Sequence, residues 1–210
     1  MPIPVKRLST RRSEQAAETR RRILDGARQV FEQRGYAGAS VEEIAAAAGV
    51  AVPTVYKGFT NKRTLLSAVV ALAMTGEGDT SRVEQQRWWK EQLDEPDARR
   101  QLELIARNAR LIYERSATIL EVVRGGAPLD PEIASIWGQI SADRLVRARR
   151  SAKSLIGKAR SKAALGTKET ELTLLSLTVP ELYTATIAAG RTAHEYEGWL
   201  AHVLVSSLLR

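Results

Sequence analysis

The 210-residue chain has no cysteine, which excludes disulfide bonds, thiolate zinc sites and cysteine nucleophiles. Its two histidines, His194 and His202, do not have the i, i+4 spacing of a helical zinc site. No apolar run reaches the roughly 18 residues of a transmembrane helix, and the basic N-terminus lacks the apolar core of a secretory signal. We therefore expect a cytoplasmic protein without a metal centre.

Enzyme signatures are also missing from the sequence. It contains no Walker loop, no GxSxG elbow and no GxGxxG dinucleotide motif. Carboxylates are numerous, but no spacing singles out an acid–base pair. We expect that the protein is not an enzyme and binds no cofactor.

Positive charge is concentrated at one end of the chain. Residues 1–65 contain 12 lysines and arginines against 6 aspartates and glutamates, whereas residues 66–210 contain 20 against 18. Such an excess is typical of a surface that faces a polyanion, although a merely soluble basic surface has the same composition.

Residues of high helix propensity dominate the sequence, and clusters of proline and glycine are few. Apolar residues at helical spacing form a stripe within residues 17–34, and Gly35 follows as a stop signal. The predicted fold class is all-α. Later helical patterns cover about residues 82–93, 97–124, 131–160 and 193–209.

Residues 40–59 carry the most specific pattern. Ser40 and Glu43 have the spacing of a capping box, which predicts the start of a short helix. Gly49 predicts a tight turn, and Pro53 suits the first turn of a following helix because its missing N–H costs nothing there. Two short helices joined in this way form a helix-turn-helix, whose second helix enters the major groove of DNA.

This part of the chain resembles the TetR family of bacterial transcriptional repressors over about residues 17–66. Residues 177–183 (LTVPELY) and 196–200 (YEGWL) also look like the last two helices of one branch of the family. The residues that carry the first likeness are 23–28 (ILDGAR), Phe31, Gly35, Tyr36, 40–45 (SVEEIA), 48–50 (AGV), 53–56 (PTVY), Phe59, Asn61 and Lys62.

The resemblance implies a homodimer whose subunits each have a three-helix DNA-binding head and a larger helical body that binds a small molecule. In the family, ligand binding shifts the body, separates the heads and releases the protein from its DNA operator. Residues 1–16 would then be a flexible basic arm, residues 17–66 the head, and residues 67–210 the ligand-binding and dimerisation domain. The arm is either a disordered tail or a segment lying in the adjacent minor groove.

The resemblance also assigns DNA-binding roles to residues between positions 40 and 62. The serine caps the first motif helix, residues 52–54 face base edges or phosphates, and the tyrosine hydroxyl and two lysines contact phosphates. A packed surface aromatic and a solvated charge are the alternatives for the tyrosine and the second lysine. The assigned residues are Ser40, Val52, Pro53, Thr54, Tyr56, Lys57 and Lys62.

Two positions depart from the family pattern. Ala51 stands where a serine or threonine usually caps the helix, a change that costs ~0.5–2 kcal/mol of helix stability. Gly58 stands where an imidazole or phenol often contacts DNA. We therefore expect few hydrogen bonds between these side chains and base edges. Contact of Val52 with a thymine methyl group, or recognition of DNA shape, would have to provide the sequence specificity instead. The second hypothesis is accordingly a small-molecule-binding helical dimer without specific DNA recognition.

The last two helical segments carry more apolar surface than one subunit readily covers, which is typical of an interface. Pairing them across a two-fold axis gives a four-helix bundle and predicts inverted-repeat operators. The alternative is that they form the core of a monomer. The predicted interface residues are Leu174, Leu182, Trp199, Leu200 and Leu204.

Aromatic side chains and a few lone polar groups in the body are candidates for a small-molecule site. Ordinary core packing is the alternative for each of them, and Glu121 and Arg124, at i and i+3, can simply pair with each other. The candidates are Trp88, Trp89, Tyr113, Glu121, Arg124, Trp137 and Tyr183.

Overall fold

The computed structural model describes residues 5–76, 83–159 and 163–210, with side chains from residue 12 onward. These residues form ten α-helices and a short 3-10 turn at Val83–Gln85, and they contain no β-strand, as the composition predicts. None of these helices is long and apolar enough to cross a bilayer. The helices are α1 (Val5–Gly38), α2 (Val41–Ala48), α3 (Val52–Gly58), α4 (Lys62–Thr75), α5 (Arg87–Asp94), α6 (Ala98–Gly126), α7 (Pro131–Ala159), α8 (Thr167–Leu177), α9 (Pro180–Ala188) and α10 (Ala193–Leu208).

The first four helices enclose the apolar stripe predicted within residues 17–34. Phe31 of α1 is fully buried, and Ile44 of α2, Val55 of α3 and Leu66 of α4 pack into the same cluster. The head therefore has the three-helix arrangement that the sequence predicts, and α4 closes it on one side.

Helices α1 and α2 approach closely at Gly26. A Cβ atom on Gly26 would lie 2.8 Å from the backbone nitrogen of Ala48, closer than real Cβ atoms come to their neighbours. The missing side chain therefore allows the contact, and it lets the small residues Ala45 and Ala48 lie buried against α1.

The long helix α6 lies at the centre of the body. It packs against α1 and α4 of the head and against α7, α9 and α10 of the body. Head and body share one continuous apolar cluster. The predicted division between residues 66 and 67 therefore falls inside α4, a helix that packs on both parts.

Several boundaries differ from the predicted ones. Residues 5–16, expected to be a flexible arm, are the first turns of α1, because Arg, Glu, Gln and Ala all favour helix there. Helix α6 continues through Gly125 and Gly126, which occupy its last turn.

Candidate nucleic-acid interface and internal cavity

Helix α2 is fixed at both ends by hydrogen bonds. At its N-terminus the Glu43 N–H donates to Ser40 Oγ at 3.1 Å, and the Ser40 N–H donates to the Glu43 carboxylate at 3.2 Å, which confirms the capping box. At its C-terminus Gly49 adopts a left-handed conformation with φ of 62°. Arg22 Nη2 donates to the carbonyls of Ala48 and Gly49 at 2.7 Å each. Ser40 thus contributes by holding α2 in place.

Helix α3 is anchored on one side and accessible on the other. Val55 is only 2% exposed and joins the core of the head, whereas Tyr56 is 50% exposed. The other residues of α3 with a predicted DNA contact are exposed or half-buried. The structure thus brings five of the predicted residues together on one short helix: Val52, Pro53, Thr54, Tyr56 and Lys57.

The two residues that depart from the family pattern, Ala51 and Gly58, lie at the two ends of α3. Ala51 makes no side-chain hydrogen bond to the helix N-terminus. Helix α3 stops at Gly58, and Phe59 turns into the core, where the Arg20 guanidinium lies 4.4 Å from its ring centre. Apart from its chain neighbours and its own helix backbone, no atom of the described residues lies within 4 Å of where a Gly58 Cβ would stand, so this position is open.

Lys62 is engaged within the protein. Its Nζ donates to the carbonyl oxygens of Tyr36 at 2.8 Å and Ala39 at 2.9 Å, and it lies 4.4 Å from the centre of the Tyr36 ring. A cation is favourable there because these carbonyls lie at the C-terminal end of α1. Two of its three N–H donors are used, which leaves one for a phosphate. The sequence gives no sign of this contact, because it joins residues 26 positions apart.

The C-terminal turn of α4 is tied to the body by Arg115 of α6. Its Nε and Nη2 atoms donate to the carbonyls of Ala73 and Met74, each at 3.2 Å, and burial lowers the pKa of this arginine. The Met74 side chain also lines the cavity described next. One turn of α4 therefore contacts both α6 and the cavity.

A cavity of about 80 Å³ lies in the body, lined mainly by α5, α6 and α7. Four residues predicted for a small-molecule site line it: Trp88, Trp89, Tyr113 and Trp137. Three of the four tryptophans in the chain therefore meet at one cavity.

Polar side chains from three helices meet at this cavity. Asn108 Nδ2 donates to Gln92 Oε1 at 2.9 Å, and Gln92 Nε2 donates to Ser151 Oγ at 3.2 Å, with all three residues buried. Trp89 Nε1 is also buried, and it has no hydrogen-bond partner among the described residues. The paired side chains thus link α5, α6 and α7 to one another at the cavity.

Among the described residues, the charged groups that line the cavity are two arginines, Arg144 and Arg147. Arg147 Nη1 pairs with Glu84 at 3.1 Å. Arg144 Nη2 donates to the carbonyls of Leu175 at 3.0 Å and Thr178 at 3.2 Å, and no carboxylate in the described ranges pairs with it. Because a guanidinium keeps its proton in proteins, Arg144 leaves a net positive charge at the cavity. The described histidines and carboxylates form no group that could hold a metal ion.

Glu121 and Arg124 do not line the cavity. Arg124 Nη2 donates to Glu121 Oε2 at 2.5 Å on the outer side of α6, so these residues form the i, i+3 pair that their spacing allows. Leu120 lines the cavity instead. Successive helical side chains point roughly 100° apart, so the residue after Leu120 faces away.

Tyr183 lies beside the cavity rather than in its lining. Its ring centre is 6.3 Å from that of Tyr113 and 5.2 Å from that of Tyr196, which it meets edge-on. The Tyr113 hydroxyl donates to the Thr178 carbonyl at 2.5 Å, and burial raises the pKa of Tyr113. Tyr183 therefore supports the Tyr113 wall from behind.

The residues predicted at the subunit interface fall into two groups. Leu174, Leu200 and Leu204 are at most 2% exposed within one subunit and belong to its core. Leu182 is half-buried and Trp199 is 43% exposed. Apolar periodicity marks both sides of these helices, and only packing decides which side faces inward. The large apolar side chains exposed on α8, α9 and α10 are Leu172, Ile187 and Trp199.

Comparison with known proteins gives a sequence match for the head. Residues 23–69 match the model of the bacterial regulatory proteins, tetR family. This segment contains α2, α3 and the residues that hold them. Comparison with curated proteins gives no match.

Several solved structures share the fold along nearly the whole chain. NalD of Pseudomonas aeruginosa, the secondary repressor of the MexAB-OprM multidrug efflux pump, has a TM-score of 0.70 at 20% identity, covering 94% of this chain and 98% of its own. The transcriptional regulator FadR of Bacillus subtilis, solved with stearoyl-CoA, has a TM-score of 0.69 at 19% identity, covering 89% and 97%. A TerR/AcrR-family transcriptional regulator of Aquifex aeolicus has a TM-score of 0.62 at 18% identity, covering 89% and 97%.

The sequence match and the fold bear on different parts of the chain. The matched segment lies within residues 23–69, whereas the structural likeness extends through the body to α10. The head thus matches the tetR family of bacterial regulatory proteins over residues 23–69, and the chain as a whole has the fold of the TetR-family regulators.

Proposed function

We propose that the protein is a ligand-responsive transcriptional regulator of the bacterial cytoplasm, a homodimeric repressor that a small molecule releases from an inverted-repeat operator. The observation that carries the proposal is the placement of α3. Its Val55 side is buried in the head, while Pro53, Thr54 and Tyr56 stay accessible to a duplex. A short helix anchored in this way beside a capped partner helix suits the major groove.

The accessible residues of α3 divide by the part of DNA that each suits. The Tyr56 hydroxyl and the Lys57 ammonium suit phosphates, which position a protein without reading the sequence. Thr54 can bond to a base edge or a phosphate, and Val52 can offer its methyl groups to thymine. These side chains make few paired hydrogen bonds to bases, so sequence-dependent DNA shape contributes to the proposed specificity.

The cavity is the proposed site of the small-molecule effector. Its lining includes Met74 from the turn of α4 that Arg115 also contacts. A ligand that moves this turn would move the head relative to the body. FadR, which has the same fold, was solved in complex with stearoyl-CoA, and this supports a small-molecule effector for the present chain.

The proposed dimer forms through the outer side of the last helices. Leu172, Ile187 and Trp199 are exposed there. Leu182, which lies between Leu172 and Ile187 in the sequence, is half-buried. A two-fold axis would bury these groups and present the two α3 helices to half-sites about 34–36 Å apart, or a multiple of that spacing.

A second function has specific support from the ends of α3. This helix has seven residues and no side-chain cap, and Gly58 leaves open a position that often contacts DNA in the family. A small-molecule-binding dimer without specific DNA recognition would have the same body and the same dimer surface.

Selection of bound genomic fragments separates the two functions. The full chain is incubated with sheared DNA of its host, and the affinity for a selected fragment is compared with that for a shuffled duplex of equal length over a range of salt concentrations. The regulator should prefer an inverted repeat by a factor of ~10³ or more. Equal and weak binding of both duplexes would favour the second function.

A further inference from the structure

We infer that Arg22 of α1 binds a backbone phosphate of DNA beside the N-terminal end of α3. The inference rests on the proposed function, because it adds a residue to the same DNA surface. It depends on three properties of the head: a turn without polar side chains, a guanidinium fixed against that turn, and the N–H donors that this guanidinium leaves unused.

The turn between α2 and α3 has no polar side chain of its own. Residues 48–53 have the sequence AGVAVP, in which no side chain can donate a hydrogen bond. In a helix-turn-helix the first helix crosses the DNA backbone and the start of the second reaches the base edges, so the turn between them passes close to phosphates. Arginine, lysine and polar side chains make most contacts to phosphates. At this turn such a side chain has to come from another helix.

Arg22 brings a positive charge to the turn. Its Nη2 atom donates to the carbonyl oxygens of Ala48 and Gly49, each at 2.7 Å. These carbonyls lie at the C-terminal end of α2, where the helix dipole favours a cation. A Cβ atom on Gly49 would lie 2.6 Å from the same nitrogen, so the glycine leaves the space that the guanidinium occupies. Arg22 is thus held in place before DNA arrives, which lowers the entropy that binding costs.

This arrangement leaves most of the hydrogen-bonding capacity of Arg22 for a ligand. A guanidinium has five N–H donors, and the two on Nη2 serve the two carbonyls. Within the described chain, Nε and Nη1 make no hydrogen bond, and the residue is exposed. A phosphate oxygen accepts short, strong hydrogen bonds from a charged donor of this kind. Three donors and a full positive charge are therefore available beside the turn.

The acidic residue one turn before Arg22 is bonded to a different arginine. Glu18 stands four positions before Arg22, a spacing that allows an ion pair on a helix. It accepts instead from Arg21, through Nε at 3.1 Å and Nη2 at 2.9 Å, and this hydrogen bonding lowers the pKa of Glu18. Arg21 therefore has a balanced charge, whereas Arg22 keeps its charge for a phosphate.

The test is the salt dependence of DNA binding, measured by fluorescence anisotropy of the full chain on a labelled selected duplex and on a shuffled duplex. Arg22→Gln removes the charge and keeps an amide donor for the two carbonyls. We expect its slope of log affinity against log salt concentration to fall by about one unit. Both duplexes should bind roughly tenfold more weakly at low salt, the size expected for a lost charged hydrogen bond. Arg22→Lys should keep the slope, because it keeps the charge.

Arg21→Gln is the matched control, because Arg21 is exposed on the same helix and its charge is paired with Glu18. Its slope should equal that of the wild type. Circular dichroism checks that each variant is folded, and a merely loosened turn would weaken binding without changing the slope. An unchanged slope in Arg22→Gln, an equal loss in Arg21→Gln, a loss confined to the selected duplex, or a slope that Arg22→Lys does not keep would each overturn the assignment.

The shuffled duplex separates this test from operator recognition. The slopes can be compared on it whether or not the fragment selection yields a preferred inverted repeat. Wild-type binding with no change in Arg22→Gln would refute the role of Arg22 alone. A wild-type chain that binds neither duplex would refute the proposed regulator together with this role.

Discussion

The Arg28 guanidinium in α1 donates from Nη2 to the main-chain carbonyl oxygen of Arg115 in α6 at 2.7 Å. The same side chain pairs through Nε with Glu32 at 2.9 Å. Because the Arg115 side chain reaches in turn to α4, one turn of α6 holds two helices of the head. The position of the head therefore depends on the helix that forms one wall of the cavity.

Arg28→Gln should lower the free energy of unfolding by about 1–2 kcal/mol, because it removes a hydrogen bond from a charged donor across the head–body contact. Urea denaturation measures the change. Arg21→Gln is the control: Arg21 lies on the same helix and pairs only with the exposed Glu18 in the described structure, so its loss should cost less than about 0.5 kcal/mol. Equal effects of the two substitutions would contradict a special role for the Arg28 contact.

The second prediction separates the two roles of Lys62. Lys62→Met should lower the free energy of unfolding by ~1–2 kcal/mol, because the ammonium holds the carbonyls of Tyr36 and Ala39 at the end of α1. Lys57→Met should leave stability nearly unchanged, since Lys57 is exposed. For DNA affinity we expect the reverse order, with Lys57→Met lowering the salt slope by about one unit and Lys62→Met by less. A full unit lost in a stable Lys62→Met variant would restore its main role to phosphate binding.

The local features of the head could be predicted from sequence because they depend on short spacings. The Ser40–Glu43 capping box follows from a three-residue spacing, and it is confirmed. The capping by Arg22 and the contact of Lys62 could not be predicted, because each joins positions 23 or more apart.

The body was less predictable for the same physical reason. Trp88 and Trp137 were suggested by residue type alone, and folding brings them to one cavity. Arg144 was not suggested, because its hydrogen bonds to the carbonyls of Leu175 and Thr178 join positions more than 30 apart. At the last helices, the apolar pattern includes Leu204 and Trp199 alike, although one is buried and the other exposed.

The third prediction concerns two glycines with opposite expected effects. Gly26→Ala should destabilise the protein by about 1–3 kcal/mol, because its Cβ would meet the Ala48 backbone at 2.8 Å and α2 would have to move. Gly125→Ala should be neutral or stabilising by up to ~1 kcal/mol, since no atom of another described element lies within 4 Å of its Cβ position and alanine favours helix. Thermal unfolding of both variants checks the sign. Similar stability of the two would mean that α1 and α2 do not need their close approach.

The fourth prediction concerns the proposed dimer. Trp199→Glu should give a folded monomer, because Trp199 is exposed on α10 and a carboxylate there would be buried without a partner in the dimer. Sedimentation velocity measures the change in mass. Leu129→Glu is the control, since Leu129 is 80% exposed in the turn between α6 and α7. Leu204 does not serve for this test: it is fully buried, and a charge there would unfold the subunit. A Trp199→Glu variant that sediments as a dimer would remove α10 from the interface.

The fifth prediction concerns the Tyr56 hydroxyl on α3. Tyr56→Phe keeps the ring and removes a single donor, so the free energy of unfolding should stay within about 0.5 kcal/mol of the wild type. Its affinity for a selected duplex should fall roughly five- to tenfold, the size expected for one lost hydrogen bond to a charged phosphate. Shuffled duplexes should lose the same factor, because a phosphate contact does not depend on base sequence. Gel-shift titrations on both duplexes measure the two factors. Unchanged affinity in a folded variant would leave Tyr56 as a surface aromatic, and a loss confined to the selected duplex would assign its hydroxyl to a base instead of a phosphate.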